Sequence, residues 1–123
     1  MGADVIHPST GTNEQSYVAV TAAIDPGLTK WLAECRIQKS GVEYIRDIRM
    51  VTIILIKAYG QRNGHLPEQI IMCRGGVSED HFISVLQKEV SDIKEACEEI
   101  KMGYKPRLTF LVSYLVHSFI NIF

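Results

Sequence analysis

Apolar and polar positions alternate in two runs near the start of the chain. Residues 17–24 read YVAVTAAI and are rich in residues that favour strands, and the segment DPGLTK that follows has the composition of a turn. In the next run, WLAECRI, every second residue falls on one mostly apolar face: Trp31, Ala33, Cys35 and Ile37. Because side chains alternate between two faces in a strand, this period predicts a half-buried strand, and the two runs together predict an antiparallel hairpin.

A different period follows between Gly41 and Tyr59, where apolar residues recur every three or four positions. This spacing predicts a helix of about five turns, which the breakers in RNGHLP (residues 62–67) bring to an end. The apolar positions on its inner side are Ile45, Ile48, Val51, Leu55 and Ala58.

The second half of the chain has a strand, a helix and another strand. IIMC (residues 70–73) is short and apolar, as a buried strand is, and Ser78 is the expected N-cap of the following helix. Gly103 and Pro106 end that helix, and RLTFLV (residues 107–112) begins the next strand. The expected core face of the helix is Phe82, Leu86, Val90, Ile93, Cys97 and Ile100.

With a short strand at GADVI (residues 2–6), the full order is strand, strand, strand, helix, strand, helix, strand. A hairpin followed by strand–helix–strand units is typical of an α/β fold. We therefore predict a mixed sheet flanked by helices.

Composition narrows the class of protein without naming a function. At 123 residues, with 46% hydrophobic and 22% charged residues, the chain has the make-up of one soluble domain or part of one. A net charge of −1 excludes the strong basic field of a free-standing nucleic-acid binder. Three widely spaced cysteines without a CxxC pair, and no signal peptide, indicate an intracellular protein of the cytoplasm or nucleus.

Three segments carry a family resemblance: GADVIHP at the start, RGGVSEDHF at residues 74–82 and EACEEIKMGYKPRLTFLV at residues 95–112. Together, in this order, they resemble the PIWI domain of Argonaute proteins. The resemblance implies a ribonuclease H-like fold, truncated at both ends, with the remaining Argonaute domains missing. It also implies a role in small-RNA-guided gene silencing, with a guide small RNA and a target RNA as partners.

The same resemblance carries a metal site in the family members that cut RNA. Their carboxylates hold two divalent ions, such as Mg²⁺, which activate water and stabilise the leaving oxygen. Asp4 matches the first catalytic aspartate and Glu43 matches the glutamate that completes the site, but Gly75 stands where the family has its second aspartate. The fourth ligand falls beyond the chain. We therefore expect no cleavage, no cofactor and at most a weak metal site at Asp4.

Several alternatives remain open for these residues. Ser40-Gly41-Val42-Glu43 has the form of a capping box, which gives Glu43 a structural role at the start of a helix. A residual metal-dependent RNA endonuclease that uses Asp4 and Glu43 is the functional alternative, and a non-functional truncated product is the third. The four histidines, including His7, have no ligand spacing and are interpreted as surface or hydrogen-bonded polar residues.

Basic side chains offer no clear RNA-binding surface, and RNA-contacting residues stay unassigned. The candidate basic residues alternate with Glu34, Glu43 and Asp47, as on a solvated mixed face. They are Arg36, Lys39, Arg46, Arg49 and Lys57.

The resemblance covers residues 1–112, and the tail at residues 113–123, SYLVHSFINIF, does not match it. We interpret this tail as a retained intron or a gene-model error. The apolar stretch from Leu108 to Phe123 has 16 residues, short of the roughly 20 that cross a membrane. No membrane contact is therefore expected.

Overall fold

The computed structural model describes residues 1–7 and 15–114, and these ranges contain five strands, two α-helices and one 3₁₀ helix. The order of strands and helices predicted from the sequence is confirmed. The helices are α1 (Ile48–Asn63) and α2 (Phe82–Ile100), and the 3₁₀ helix, Glu79–His81, directly precedes α2. The strands are β1 (Gly2–Ile6), β2 (Ser16–Ala23), β3 (Trp31–Gln38), β4 (Gln69–Val77) and β5 (Arg107–Tyr114).

The five strands form one mixed sheet in the order β3-β2-β1-β4-β5. β2 pairs antiparallel with both β1 and β3, which confirms the predicted hairpin, and β4 pairs parallel with β1 and β5. A mixed sheet flanked by helices was expected, and it is confirmed. The sheet places β1 at its centre, next to a strand that lies about 70 residues further along the chain.

Both helices pack on the same face of the sheet and against each other, so the sheet has one covered face and one open face. The core between the helices and the covered face includes Val18, Val20, Ile48, Val51, Leu55, Met72 and Ile93. The open face carries apolar side chains that are 46% to 64% exposed: Ile6, Tyr17, Trp31, Ile37, Ile71 and Leu111. The apolar side of β3 is therefore its exposed side, and the side that carries Leu32, Glu34 and Arg36 is only half-buried.

Helix α1 begins later and ends later than its periodicity predicts. It starts at Ile48 rather than Gly41 and continues one turn past Tyr59 to Asn63. Its N-cap residue is Asp47, and no side chain caps it, so the capping box predicted at Ser40 to Glu43 is wrong. The segment before Ile48 is not helical because its backbone is hydrogen-bonded to side chains of β3, β4 and α2.

Helix α2 also differs from the prediction at its start and on its inner side. Ser78 precedes the 3₁₀ helix and its hydroxyl bonds the ring of His81 instead of a backbone amide, so it does not cap α2. Four of the six predicted core residues, Phe82, Leu86, Val90 and Ile100, are only half-buried. The helix is rotated so that its buried residues are Val85, Glu89, Asp92, Ile93, Ala96 and Cys97.

No helix in residues 1–7 and 15–114 is long and apolar enough to cross a membrane. Of the predicted non-matching tail, Ser113 and Tyr114 belong to β5, and residues 115–123 lie outside the described residues.

The three cysteines are expected to separate into two reactive thiols and one protected thiol. Cys35 and Cys73 are exposed on the open face, whereas Cys97 is buried on the inner side of α2, where burial raises the pKa of its thiol. Iodoacetamide should therefore alkylate Cys97 at least about tenfold more slowly than Cys35 in the native chain. Peptide mass spectrometry with and without urea measures this, and equal rates in the native chain would mean that α2 does not pack on the sheet.

Candidate functional site at the ends of strands β1 and β4

Asp4 lies at the centre of the sheet, on its open face. Its neighbours along β1, Ala3 and Val5, point into the core, and Asp4 itself is exposed. The Asp4 Oδ1 accepts a hydrogen bond of 2.8 Å from the backbone amide of Val5, which limits the directions the carboxylate can take. Because β1 and β4 run parallel, their carboxyl ends lie at the same edge of the sheet, where ligands commonly bind in α/β folds.

A bulge in β4 brings Gly75 and Gly76 against this aspartate. The register with β5 shifts between Arg74 and Val77, so β4 has one more residue than β5 at this point. Bulges of this kind bend a strand and redirect its side chains, and they are frequent beside active sites. An ideal Cβ placed on Gly75 would lie 3.8 Å from the Asp4 Cγ and 3.9 Å from its Oδ1. A side chain at position 75 would therefore point at the Asp4 carboxylate.

The two glycines differ in what they permit. Gly75 has no positive φ, so an ordinary residue can adopt its backbone conformation, and its Cβ would make only normal contacts. Gly76 has a φ of +74°, and a Cβ there would lie 2.5 Å from the Asp4 Oδ1. Gly76 is required by the shape of the bulge, whereas Gly75 is compatible with a side chain and simply lacks one.

Replacing Gly76 by alanine is expected to destabilise the chain by about 2–3 kcal/mol, through its left-handed backbone and the clash with Asp4. The matched Gly75→Ala change should alter the free energy of unfolding by less than about 1 kcal/mol. Urea unfolding of the two variants measures the difference. Equal losses would show that the bulge does not have this geometry.

The donor set does not fit a divalent metal. Asp4 contributes one carboxylate, and Gly75 contributes no side-chain oxygen across from it. In the part of the chain that the structure describes, no three His, Cys, Asp or Glu residues lie close enough together to hold a metal ion. Divalent ions such as Mg²⁺ need several oxygen ligands, so a single carboxylate holds them weakly.

Glu43 lies in the loop between β3 and α1, beside the ring of His7. The Glu43 Oε1 is 3.9 Å from the His7 Nε2, and the His7 Nδ1 is 3.0 Å from the buried hydroxyl of Ser16. His7 follows the end of β1, three residues after Asp4. The interpretation of His7 as a hydrogen-bonded polar residue is confirmed, but its contact with Glu43 was not foreseen.

A buried ion pair behind the bulge was also missed. The Arg74 Nε donates to both carboxylate oxygens of Glu89, at 3.0 and 3.1 Å, and the two side chains are 1% and 0% exposed. The pKa of Glu89 is raised overall, because the effect of burial exceeds the lowering effect of the positive charge on Arg74. The sequence pattern that could have indicated this pair is a glutamate within the apolar stripe of α2, since Val85, Glu89 and Ile93 repeat every four residues.

Two of the five candidate basic residues are paired with carboxylates. The Arg36 Nη1 lies 3.3 Å from the Glu34 carboxylate, and the Arg49 side chain makes a two-nitrogen contact with Glu99.

Comparisons with known proteins agree on one family. A family model described as the Piwi domain matches residues 1–119. The curated relative "Protein argonaute" of Schizosaccharomyces pombe is 32% identical over 108 residues, which are 88% of this chain and 13% of that protein. This chain therefore spans about an eighth of the relative's length.

Solved structures give the same result. The C-terminal lobe of a budding yeast Argonaute is 28% identical, with a TM-score of 0.79, over 90% of this chain and 23% of that chain. Kluyveromyces polysporus Argonaute with a guide RNA is also 28% identical with a TM-score of 0.79, over 90% of this chain and 14% of that chain. Both structures therefore share the fold of nine-tenths of this chain.

Proposed function

Because this chain belongs to the Piwi domain family, we propose that it binds a guide small RNA and its target in small-RNA-guided silencing without cutting the target. It is a partial Argonaute PIWI domain, and guide loading is proposed for the protein that carries it. That work would take place inside the cell, in the cytoplasm or nucleus.

The observation that carries RNA binding is the likeness to an Argonaute solved with a guide RNA, which extends over nearly the whole chain. The net charge of −1 argues that this chain does not supply all of the phosphate contacts itself. RNA binding is therefore expected to need basic residues elsewhere in the protein.

The absence of cleavage is inferred from Asp4 and Gly75, which lie against each other where β1 and β4 end. Two-metal cleavage needs carboxylates that bridge cations between the attacking and leaving oxygens. Asp4 faces a position with no side chain, and Glu79 and Asp80 lie beyond the end of β4, in the 3₁₀ helix. We propose that Mg²⁺ is not bound productively and that Asp4 and Glu43 are the remaining positions of a degenerate site.

Two other functions are distinguished by experiment. A residual slicer endonuclease would use Asp4 and Glu43 with an unusual third ligand, and a non-functional truncated product would bind no RNA. The contact of Glu43 with His7 is the observation in favour of the first, because it places a second carboxylate close to the end of β1.

The test is immunopurification of the natural protein that carries this chain, followed by small-RNA sequencing and incubation with a guide-matched target in Mg²⁺ or Mn²⁺. We expect short RNAs of uniform length to copurify and the target to be retained uncut. A guide-dependent cut that Asp4→Ala abolishes would establish the slicer. Recovery of no small RNA above an unrelated control would favour the non-functional product.

A further inference from the structure

Strand β3 lies at one edge of the sheet, and its outer side is open. All eight of its residues, Trp31–Gln38, pair with β2, and among residues 1–7 and 15–114 no strand pairs with its other side. The strand contains neither a proline nor a bulge in its pairing with β2. A long and regular edge strand of this kind is a template for pairing with another chain.

The amides and carbonyls of every second residue of β3 point toward this free edge. The amide of Ile24 donates to the carbonyl of Lys30 at 2.9 Å, where the β2–β3 hairpin closes. Because bonded and non-bonded pairs alternate in an antiparallel ladder, the next residue of β3 and every second one after it bond away from β2. These residues are Trp31, Ala33, Cys35 and Ile37. The Arg36 Nη1 agrees with this, since it donates to the outward carbonyl of Cys35 at 2.9 Å.

The charges on β3 favour one way of pairing two copies of the strand. If two β3 strands pair antiparallel about Cys35, Glu34 of each copy lies opposite Arg36 of the other. Pairing about Glu34 would place two glutamates opposite each other, and pairing about Arg36 would do the same with two arginines. Like charges directly opposite destabilise a sheet, so the register about Cys35 is the favoured one.

Within one chain, the same two side chains cover the free edge. The Arg36 Nη1 lies 3.3 Å from the Glu34 carboxylate, and the side chains are 28% and 26% exposed. When two copies pair, the carbonyl of Cys35 accepts from the amide of the partner's Cys35, and Arg36 moves to the partner's Glu34. Each contact is exchanged for an equivalent one, so no charged group is left without a partner.

We propose that β3 is the interface of a homodimer, in which two copies of this chain join edge to edge, antiparallel about Cys35. The interface has two Glu34–Arg36 pairs related by the twofold axis, and it joins the two five-stranded sheets into one. On the open face, Ile37 of each copy lies opposite the partner's Ala33. This interface goes beyond the proposed function and does not depend on RNA.

The test is sedimentation equilibrium of the 123-residue chain and of two charge variants, Glu34→Arg and Arg36→Glu. We expect the parent chain to dimerise and each variant alone to dimerise at least about tenfold more weakly, because like charges then meet at both contacts. An equal mixture of the two variants should form a heterodimer as tight as the parent dimer, since opposite charges again face each other. Lys57→Glu, the same charge change at an exposed position of α1, is the matched control and should dimerise like the parent.

A monomeric parent chain would overturn the proposal, and so would a dimer that neither charge variant weakens. A mixture that does not associate would show that Glu34 and Arg36 are not opposite each other. If the variants do not fold, a short bis-maleimide applied to Cys73→Ser gives a second measurement. The two Cys35 Cα atoms lie about 5.5 Å apart in this register, so a Cys35–Cys35 crosslink is expected, and its absence in peptide mass spectrometry would overturn the proposal equally.

Discussion

Replacing Gly75 by aspartate is expected to raise the affinity of the chain for Mn²⁺ at least about tenfold above that of the parent chain. The Cβ at this position would lie 3.8 Å from the Asp4 Cγ, so the two carboxylates would face each other across the space of one cation. The backbone at Gly75 accepts the side chain without a positive φ. Calorimetric titration with Mn²⁺ measures the gain.

Two controls isolate the carboxylate pair. Gly75→Asn has the same shape without the charge, and G75D/D4N keeps the new aspartate but removes its partner. Neither should gain affinity. A comparable gain in Gly75→Asn, or none in Gly75→Asp, would mean that position 75 does not point at Asp4.

The pH dependence of Gly75→Asp follows from the same pair. Two apposed carboxylates raise the pKa of one of them above the unfolded value of about 4. A raised pKa in the folded state means that stability is fully present below pH 4 and is lost as the pH rises through the folded pKa. Without Mn²⁺ the thermal midpoint should therefore fall between about pH 4 and pH 7, and Mn²⁺ should restore it.

The second large effect is expected from Arg74→Met, which leaves Glu89 buried without its partner. Removing one member of a buried ion pair costs about 3–5 kcal/mol, a large fraction of the stability of a small domain. The double variant R74M/E89L should recover most of this loss, since no uncompensated charge remains. Urea unfolding of both single variants and the double variant gives the coupling energy, expected to exceed about 2 kcal/mol.

The pH dependence of stability distinguishes an unpaired Glu89 charge from a simple loss of packing. Burial already raises the pKa of Glu89, and loss of Arg74 removes the charge that opposes the shift. In Arg74→Met the stability that depends on protonated Glu89 is lost as pH rises from about 4 through the folded pKa, so the deficit should shrink near pH 4.5. A deficit of the same size at pH 4.5 and 7.5 would point to packing instead.

The kinds and order of the helices and strands were predictable because each depends on a local period in the sequence. The alternation in β2 and β3 and the spacing in α1 and α2 are properties of neighbouring residues. Helix boundaries were less predictable. The start of α1 moved to Ile48 because Gln38, Arg74 and Glu89 bond the preceding backbone, and two of these residues lie far away in sequence.

The sequence by itself determined the family resemblance, the presence of Asp4 and Glu43, and the lack of a carboxylate at Gly75. These are statements about residue type, and a residue type is known as soon as the sequence is aligned with a motif. The expected loss of cleavage follows from residue type alone, since glycine has no side-chain oxygen.

Only the tertiary structure decided which residues meet. The pairing of β1 with β4 joins segments about 70 residues apart, and the bulge decides that position 75 lies against Asp4 while Gly76 has a left-handed backbone in which a side chain is strained. It also decided that Glu89 lies inside, against Arg74. Such contacts depend on strand pairing and on burial, which arise from the whole sheet and its helices. They produce no periodic pattern among neighbouring residues from which they could be predicted.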